Sequence, residues 1–215
     1  MTYDSIIREL LQFVKSDERK KAILSRKFGE GGLHYCCGSG LYHDVICVDA
    51  KSFYPHILLN WDLLPDWIDR EKYKEMLNQR MSGNKDERLK MALNIPTGKL
   101  RASNASAEDK ERGLAMCLIG QVLISVLQEM IESAGYRTLQ VNTDGIMVQK
   151  LVGYGNSKPQ SFKTMIEEWA RLFDIPLSVK DIEHLVQEDV NNYKAIFADG
   201  TIVNKGAKFK PKGKK

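Results

Sequence analysis

Hydrophobic residues recur at the spacing of an α-helix in four parts of the chain. The spacing predicts an amphipathic helix near the N-terminus, at residues 3–26, and a pair of highly charged helices at residues 69–94. It also predicts a long buried helix at residues 106–133 and a second amphipathic helix at residues 161–173. The charged pair is interrupted by Ser82-Gly83-Asn84, which predicts a protruding helical hairpin. This hairpin is the candidate small lobe of the protein.

Shorter apolar runs between turn residues predict the strands. A buried strand is expected at residues 45–50, after a glycine-rich loop at residues 29–40. A hairpin is expected at residues 138–149, around an aspartate-containing turn at residues 143–145. Further strands are expected at residues 182–203, on both sides of a turn at residues 198–200. Pro55 follows the first strand and marks the start of a helix or turn. The order of elements predicts an α+β fold in which helices pack on one antiparallel sheet.

The composition fits one hydrophobic core with a small appended lobe. The 215 residues are 43% hydrophobic, which is too apolar for a disordered chain. The net charge is only +4, but six lysines lie between Lys205 and Lys215, as in a solvated tail or in a segment that contacts nucleic-acid phosphates. Both interpretations of this basic tail stay open.

The cysteines and the apolar runs bear on where the protein works. Cys36 and Cys37 are adjacent and the other two cysteines lie in apolar runs, so the sequence has no metal-binding cysteine spacing and reduced thiols are expected. No uninterrupted apolar run approaches the roughly 20 residues that cross a bilayer, and the N-terminus is unlike a signal peptide. The expectation is a soluble, cytoplasmic protein with no membrane partner.

Two aspartates lie where chemistry at a sheet edge is expected. Asp49 ends the predicted buried strand, and Asp144 lies in the turn of the predicted hairpin. Two carboxylates brought together beside a sheet can hold a pair of divalent cations, and Mg²⁺ is the natural fit because it takes one or two carboxylates plus phosphate oxygens. Each aspartate taken alone is more simply a turn or cap residue.

Three short segments, in one order, resemble the motifs of family B DNA polymerases. Asp49-Ala-Lys-Ser-Phe-Tyr-Pro55 resembles motif A, Asp-x-x-Ser-Leu-Tyr-Pro. Lys90-Met-Ala-Leu-Asn94, followed by Thr97-Gly98, resembles motif B, Lys-x-x-x-Asn-x-x-Tyr-Gly, and Asn142-Thr-Asp-Gly145 resembles motif C, Asp-Thr-Asp-Ser. Gly31-Gly32-Leu33-His34 resembles the glycine pair that precedes motif A in many phage-type members. Asn191-Asn-Tyr-Lys194, with Lys205-Gly206, resembles the segment that follows the palm and contacts the primer-template, so the resemblance covers residues 29–207.

The resemblance implies a function and a division of the chain. The function is template-directed addition of deoxynucleotides to a primer 3′ end, in a bacterial or phage-infected cell. The chain then begins with a lead-in at residues 1–30. A first palm segment with motif A covers residues 31–68, a fingers hairpin with motif B covers residues 69–104, and a second palm segment with motif C covers residues 105–207. A basic tail follows at residues 208–215. The substrates are primer-template DNA and deoxynucleoside triphosphates.

Site residues are implied position by position. Asp49 and Asp144 align with the metal-binding aspartates, and the backbone carbonyl of Ala50 joins them around two Mg²⁺ ions, for which Mn²⁺ can substitute. The residues that align with nucleotide-binding positions are Ser52, Phe53, Tyr54, Arg80, Lys90 and Asn94. The residues that align with DNA-binding positions are Gly31, Gly32, Thr143, Tyr193 and Lys205.

Physical reasons accompany these roles. Lys90 and Arg80 would neutralise charge on the triphosphate, whereas without the motif they would be ordinary solvated helix charges. Ser52 and Phe53 would present backbone amides to the phosphates. The ring of Tyr54 would lie under the sugar and exclude a ribose 2′-hydroxyl, whereas Asn94 has an alternative role in ending the helix before Pro96.

Two departures from the motifs and the chain length qualify the resemblance. Asn142 replaces the first aspartate of motif C, and Thr97 replaces the tyrosine of motif B. The chain lacks room for the exonuclease and thumb domains of the family, so these are expected as missing domains. The alternative is a non-catalytic or incomplete palm that binds nucleic acid or a partner. A third hypothesis is a nuclease that uses the two carboxylates. It is less favoured, because a nuclease has no use for the helix that carries Lys90.

Overall fold

The computed structural model describes residues 31–150 and 162–209, except the side chain of Lys150. The predicted N-terminal helix, the loop at residues 155–160 and most of the basic tail lie outside the described residues. The described part is α+β, with helices packed on an antiparallel sheet, as the sequence predicts.

One antiparallel sheet of seven strands organises the described residues. Its strand order is β1-β3-β4-β2-β5-β6-β7, so β2 lies at the centre, paired with β4 on one side and β5 on the other. The strands are β1 His34–Cys36, β2 Gly40–Ala50, β3 Tyr136–Asn142, β4 Gly145–Lys150, β5 Leu177–Asp189, β6 Asn192–Phe197 and β7 Ile202–Lys205.

Both faces of the sheet are apolar. The face under the helices contributes Val48, Val141 and Val148 to the main core, each with 0% of its surface exposed. The opposite face has a smaller core that includes Leu139 and Leu185. Burial of such side chains contributes roughly 1.5–3 kcal/mol each, so the central strands are the most strongly fixed part of the fold.

The predicted strand boundaries were wrong in three places. The predicted loop at residues 29–40 contains the edge strand β1, β2 begins five residues before Val45, and β5 begins at Leu177 rather than Ile182. The added part of β2, from Gly40 to Asp44, is partly or fully exposed, so no apolar run marks it. Pairing with β5 fixes it as a strand nonetheless.

The described residues include five helices, which cover one side of the sheet. Asp69, Asp86 and Ser106 accept backbone N–H groups at the starts of three of them, which stabilises each by about 1 kcal/mol. These caps explain why the predicted starts of the hairpin and of the long helix are close to the observed ones. The helices are α1 Phe53–Asn60, α2 Arg70–Met81, α3 Glu87–Leu100, α4 Ala107–Ser133 and α5 Phe162–Phe173.

Pro96 does not end α3, which corrects the alternative that Asn94 is a helix-ending residue. The helix continues to Leu100 although Pro96 lacks an N–H for the helical ladder. Leu93, Pro96 and Leu100 are all buried, and the Tyr73 hydroxyl of α2 donates to the Leu93 carbonyl at 2.6 Å. Packing of this buried stripe against the rest of the protein offsets the missing hydrogen bond.

The long helix α4 is the centre of the helical layer. Met116, Ile124 and Ile131 are fully buried, and the Trp169 indole of α5 donates to the Leu123 carbonyl at 3.1 Å. By length and composition α4 is the single helix among the described residues that could span a membrane. Most of its apolar stretch is buried inside the protein, as in the core helix of a globular domain.

Candidate active site

The two aspartates meet at one end of the central strand pair. Asp49 is the penultimate residue of β2 and pairs with Gly145, the first residue of β4. Asp144 lies in the turn that precedes Gly145, and its backbone carbonyl accepts the Ala50 N–H at 2.8 Å. The sheet register therefore holds the two carboxylates on adjacent strands at the same edge.

The turn that carries Asp144 is tightly fixed. Thr143 has a left-handed backbone, with φ 61°, and its N–H donates to the Leu33 carbonyl at 2.8 Å. Gly32 lies directly against the Thr143 side chain, because a Cβ added at Gly32 would collide with it. A Cβ added at Gly31 would lie 3.4 Å from the Arg101 guanidinium. The glycine pair thus allows a close approach to the turn, and its predicted contact with DNA stays a prediction.

The electrostatics of the pair favour a cation. Burial raises the pKa of the Asp49 carboxyl, against smaller lowering effects of the Cys47 hydrogen bond and the Lys180 charge. Burial also raises the pKa of the Asp144 carboxyl, and the negative charge of Asp49 raises it further. A divalent cation between them would offset both effects, so the donor set fits a metal site.

No group of three or more histidine, cysteine, aspartate or glutamate side chains suited to a metal occurs in the part of the chain that the structure describes. Any cation at Asp49 and Asp144 therefore needs further oxygen ligands from neutral groups, water or substrate. The carbonyl of Ala50 is the neutral ligand that the motif resemblance implies. Ala50 is buried and directly follows Asp49 in the same strand.

A cavity of about 580 Å³ separates the helical hairpin from the sheet edge. We call it the hairpin cavity. All six residues predicted to bind nucleotide line it together with Asp144. Its lining also includes three lysines that the motifs do not assign, Lys51, Lys85 and Lys180. Five basic side chains thus surround a cavity in which the one acidic lining residue is Asp144.

The predicted nucleotide-binding residues differ in how their side chains are held. The Lys90 ammonium lies 3.8 Å from Glu87 and its side chain is 54% exposed, whereas Arg80 donates to the Asn84 carbonyl at 2.9 Å. Asn94 donates to the Lys90 carbonyl at 2.9 Å. The side-chain amide of Asn94 is therefore engaged with its own helix.

The start of α1 forms the floor of the hairpin cavity. Ser52 precedes the helix with a left-handed backbone, φ 47°, and makes no side-chain cap. The Phe53 side chain is buried in the main core, which leaves its backbone for any contact with ligand. Tyr54 is half-buried, 5.5 Å from the Phe53 ring between centroids, and burial raises the pKa of its hydroxyl.

A second cavity, of about 320 Å³, lies against the sheet on the other side of the Asp144 turn. We call it the sheet cavity. Asp49 and Asp144 line it together with Thr143, Tyr193 and Lys205, three residues predicted to contact DNA. The Lys205 ammonium lies 5.7 Å from the centre of the Tyr193 ring. Asp144 is shared by both cavities, so a ligand in either can reach it.

The two motif departures have different structural outcomes. The Asn142 amide donates to the Val190 carbonyl at 3.0 Å, which ties the Asp144 turn to the turn between β5 and β6. A carboxylate at this position could not donate that hydrogen bond. Thr97 has a buried hydroxyl with no hydrogen-bond partner among the described residues. Thr97 as a whole is half-buried and is not a lining residue of the hairpin cavity.

The Asn142 tie gives a first prediction. Asn142→Asp, which restores the usual motif C residue, is expected to destabilise the protein by about 1–3 kcal/mol at neutral pH, because a carboxylate would face the Val190 carbonyl. Thermal unfolding measures the effect, with Asn142→Ala as the control that only loses the bond. The aspartate variant should recover relative to alanine at acidic pH, where the introduced carboxyl is protonated and can donate. An aspartate variant as stable as the wild type at neutral pH contradicts the role of the tie.

An antiparallel sheet with helices on one face and two carboxylates beside a basic cavity suits a protein that handles phosphate esters with divalent cations. No protein-family model matches the chain. The chain is 23% identical over 174 residues to DNA polymerase 1 of Pyrococcus abyssi and to the same polymerase of its strain GE5 / Orsay. These alignments cover 61% of this chain and 23% of the length of each relative.

The fold has a solved counterpart. The family B DNA polymerase of the hyperthermophilic archaeon Pyrobaculum calidifontis superposes with a TM-score of 0.59 at 18% sequence identity. The match covers 84% of this chain and 30% of that polymerase. The expected resemblance is confirmed: the chain shares the fold of a family B DNA polymerase and is similar in sequence to archaeal DNA polymerases. The matched relatives are archaeal, so they do not support the phage type.

Proposed function

We propose that this chain is the core of a cytoplasmic, template-directed DNA polymerase that adds deoxynucleotides to a primer 3′ end. The observation that carries the proposal is that all six residues assigned to the nucleotide line one basic cavity that reaches Asp144. The likeness to archaeal DNA polymerases supports it. In this proposal residues 31–68 and 105–207 form the palm and residues 69–104 form the fingers.

Asp49, Asp144 and the Ala50 carbonyl are the residues that hold two Mg²⁺ ions in this proposal, with Mn²⁺ as a substitute. When bound, such a pair activates the primer hydroxyl and neutralises the leaving phosphate. Asp49 is half-buried, and desolvation and the Asp49 charge both raise the pKa of the more exposed Asp144 carboxyl, so a cation between the two carboxylates stabilises their charged forms.

The hairpin cavity binds the triphosphate. Arg80 and Lys90 approach it from the helices, and Lys51 and Lys180 approach it from the sheet edge, so positive charge is available on two sides. The backbone amides after Ser52 contribute further donors at the start of α1. The Tyr54 ring selects a deoxyribose by occupying the space of a 2′-hydroxyl.

The sheet cavity receives the primer end of a primer-template duplex. Tyr193 and Lys205 supply a ring and a cation on β6 and β7, and Thr143 lies beside Asp144 in the turn. A cation near the DNA backbone contributes to binding in a salt-dependent way. In this proposal exonuclease and thumb domains act together with the core, so the core tested alone is expected to hold DNA weakly.

The second candidate function is a non-catalytic or incomplete palm that binds nucleic acid or a partner. One observation favours it: Asn142 and Thr97 depart from the motifs. The intact aspartate pair opposes it, because two carboxylates beside the phosphate path weaken binding unless a cation lies between them.

Primer extension distinguishes the two candidates. The purified chain is incubated with a labelled primer-template, four deoxynucleotides and either Mg²⁺ or Mn²⁺. Extension that needs the divalent cation and the matching nucleotide is the expected result. DNA binding without extension, at enzyme concentrations above the measured Kd, would support the non-catalytic palm.

The unassigned lysines give a second prediction. The double variant Lys51→Ala with Lys180→Ala is expected to raise the KM for deoxynucleotides by about tenfold, because each lost charge-assisted contact to phosphate is worth roughly 1.5 kcal/mol or less after solvent screening. Steady-state extension at several salt concentrations measures it. The matched control replaces Lys74 and Lys163, two exposed lysines outside both cavities, with the same change in net charge. Equal KM values for the two double variants would refute the contact.

A further inference from the structure

The turn between β2 and α1 has a strained backbone at Ser52. Ser52 lies in the left-handed region, with φ 47° and ψ 49°, which is uncommon for a residue other than glycine, asparagine or aspartate. Its side chain makes no helix cap that would compensate for this conformation. Strained backbone of this kind persists where neighbouring groups hold it, and it is frequent in binding sites. A neighbouring group that holds Ser52 is therefore expected.

Four other non-glycine residues in the described part of the chain have a positive φ. Three are aspartates, whose short polar side chains tolerate this conformation: Asp44, Asp62 and Asp174. The fourth is Thr143, which lines the sheet cavity, whereas Ser52 lines the hairpin cavity. The two strained residues that are not aspartates thus lie at the two cavities of the candidate active site.

The imidazole of His56 holds the Ser52 carbonyl. Its Nδ1 lies 2.9 Å from the Ser52 oxygen, and because a carbonyl oxygen can only accept, Nδ1 carries the proton. The backbone N–H of His56 donates to the same oxygen at 3.1 Å. His56 is 8% exposed, and burial lowers the pKa of its imidazole, against raising effects of the Ser52 carbonyl and the Asp174 charge. The ring is therefore a neutral, buried donor to the Ser52 carbonyl.

This hydrogen bond sets the direction of an N–H group at the hairpin cavity. The Ser52 carbonyl and the Phe53 N–H belong to one planar trans peptide, so they point in opposite directions. Phe53 is the first residue of α1, where a helix has N–H groups without an intrahelical acceptor. On the other side of the turn, the Lys51 N–H donates to the Pro176 carbonyl at 2.8 Å. His56 and the sheet therefore hold the peptide from both sides.

We propose that His56 is a positioning residue for nucleotide binding: its Nδ1–H fixes the Ser52–Phe53 peptide so that the Phe53 N–H is directed at a phosphate group of the deoxynucleoside triphosphate. The inference rests on the proposed function, because the triphosphate is the ligand of the hairpin cavity in that proposal. His56 does not line the cavity and acts through Ser52 and Phe53, which do. It follows Pro55, the last residue of the motif A resemblance, so that motif gives it no role.

Three substitutions of His56 separate the Nδ1–H from the rest of the side chain. His56→Leu removes the donor. His56→Asn restores one, because the amide nitrogen of asparagine is as many bonds from Cα as Nδ1 is. His56→Gln carries the same amide one bond further out and should not restore the hydrogen bond. If the leucine variant fails to fold, the comparison of asparagine with glutamine still tests the inference.

The measurements are equilibrium binding of dATP and of inorganic triphosphate with Mg²⁺ in the absence of primer, and steady-state primer extension. We expect about tenfold weaker binding of both ligands in His56→Leu and His56→Gln, and binding within about twofold of wild type in His56→Asn, as for one hydrogen bond to a charged group. In extension the KM for deoxynucleotides should rise by the same factor. The kcat should change by less than about threefold, because the two aspartates keep their places.

Trp169→Phe is the matched control for the loss of a buried hydrogen bond. The Trp169 indole also donates to a helix carbonyl, that of Leu123, and Trp169 lines neither cavity. We expect this variant to lose thermal stability and to keep the wild-type affinity for dATP and triphosphate. Weakened nucleotide binding in Trp169→Phe, equal to that in His56→Leu, would assign both effects to stability and overturn the inference.

The remaining results distinguish the role of His56 from the proposed function. Wild-type nucleotide affinity in His56→Leu overturns the inference and leaves the proposed function intact. Equal weakening in His56→Asn and His56→Gln also overturns it, because the loss then follows the ring rather than the Nδ1–H. A wild-type chain that binds neither dATP nor inorganic triphosphate removes the nucleotide site of the proposed function, and the role of His56 with it.

Discussion

Asp144→Ala is expected to lower the rate of primer extension by about 10³-fold or more, which is the scale for removing a group that stabilises charge in a transition state. Asp144 is the acidic residue shared by the hairpin cavity and the sheet cavity, so its loss removes the one carboxylate that a nucleotide and a primer end can both reach. The measurement is single-nucleotide extension under single-turnover conditions in Mg²⁺ and in Mn²⁺.

Two comparisons separate the charge of Asp144 from its shape. Asp144→Asn keeps the side-chain volume and should be almost as inactive as alanine, because the cation loses its charged ligand. Asp181→Ala, an exposed aspartate on β5 outside both cavities, should keep the wild-type rate. Primer-template affinity should persist or increase in Asp144→Ala, since a negative charge is removed beside the DNA path. Extension within tenfold of wild type in Asp144→Asn would disprove a catalytic role.

The parts of the fold that the sequence predicts correctly are those with strong local signals. The charged hairpin is marked by Asp69, Asp86 and the Ser82-Gly83-Asn84 turn, and α4 by the Ser106 cap and a long apolar face. The Asp144 hairpin is marked by two apolar arms around a short turn. In each case propensity, capping and burial agree, so local chemistry and tertiary packing favour the same structure.

The parts that the sequence mispredicts depend on distant partners. The first residues of β2 are partly or fully exposed and contain no long apolar run, and only pairing with β5 makes them a strand. Pro96 would end an isolated helix, but the buried stripe of Leu93 and Leu100 carries α3 through it. Tertiary contacts overrode local propensity in both places.

The candidate site divides in the same way. Asp49, Asp144 and Lys90 stand in short motifs, so a resemblance can indicate them. Lys180 has no local signal, and it enters the hairpin cavity because β5 pairs with β2.

Gly145→Ala is expected to lower extension about 10²-fold, the loss that a displacement of roughly 1 Å in a reacting group can cause. A Cβ added at Gly145 would collide with a carboxylate oxygen of Asp49, and its next neighbour, the Val48 carbonyl, is 3.5 Å away. The clash is therefore with the end of a side chain that can rotate. Rotation changes the position of the carboxylate relative to Asp144 without disturbing the strand pair.

This mechanism predicts a separation of activity from stability. Gly145→Ala should melt close to the wild-type temperature but bind Mn²⁺ more weakly and extend primers slowly. Gly145→Ser, which restores the usual motif C serine, should behave like alanine because it carries the same Cβ. Gly40→Ala is the matched control on β2, where the added Cβ meets only the Tyr42 ring at 3.1 Å and is far along the strand from Asp49. Wild-type extension by Gly145→Ala would show that the Asp49 carboxylate works in a second orientation, so that the close contact with Gly145 is not what positions it.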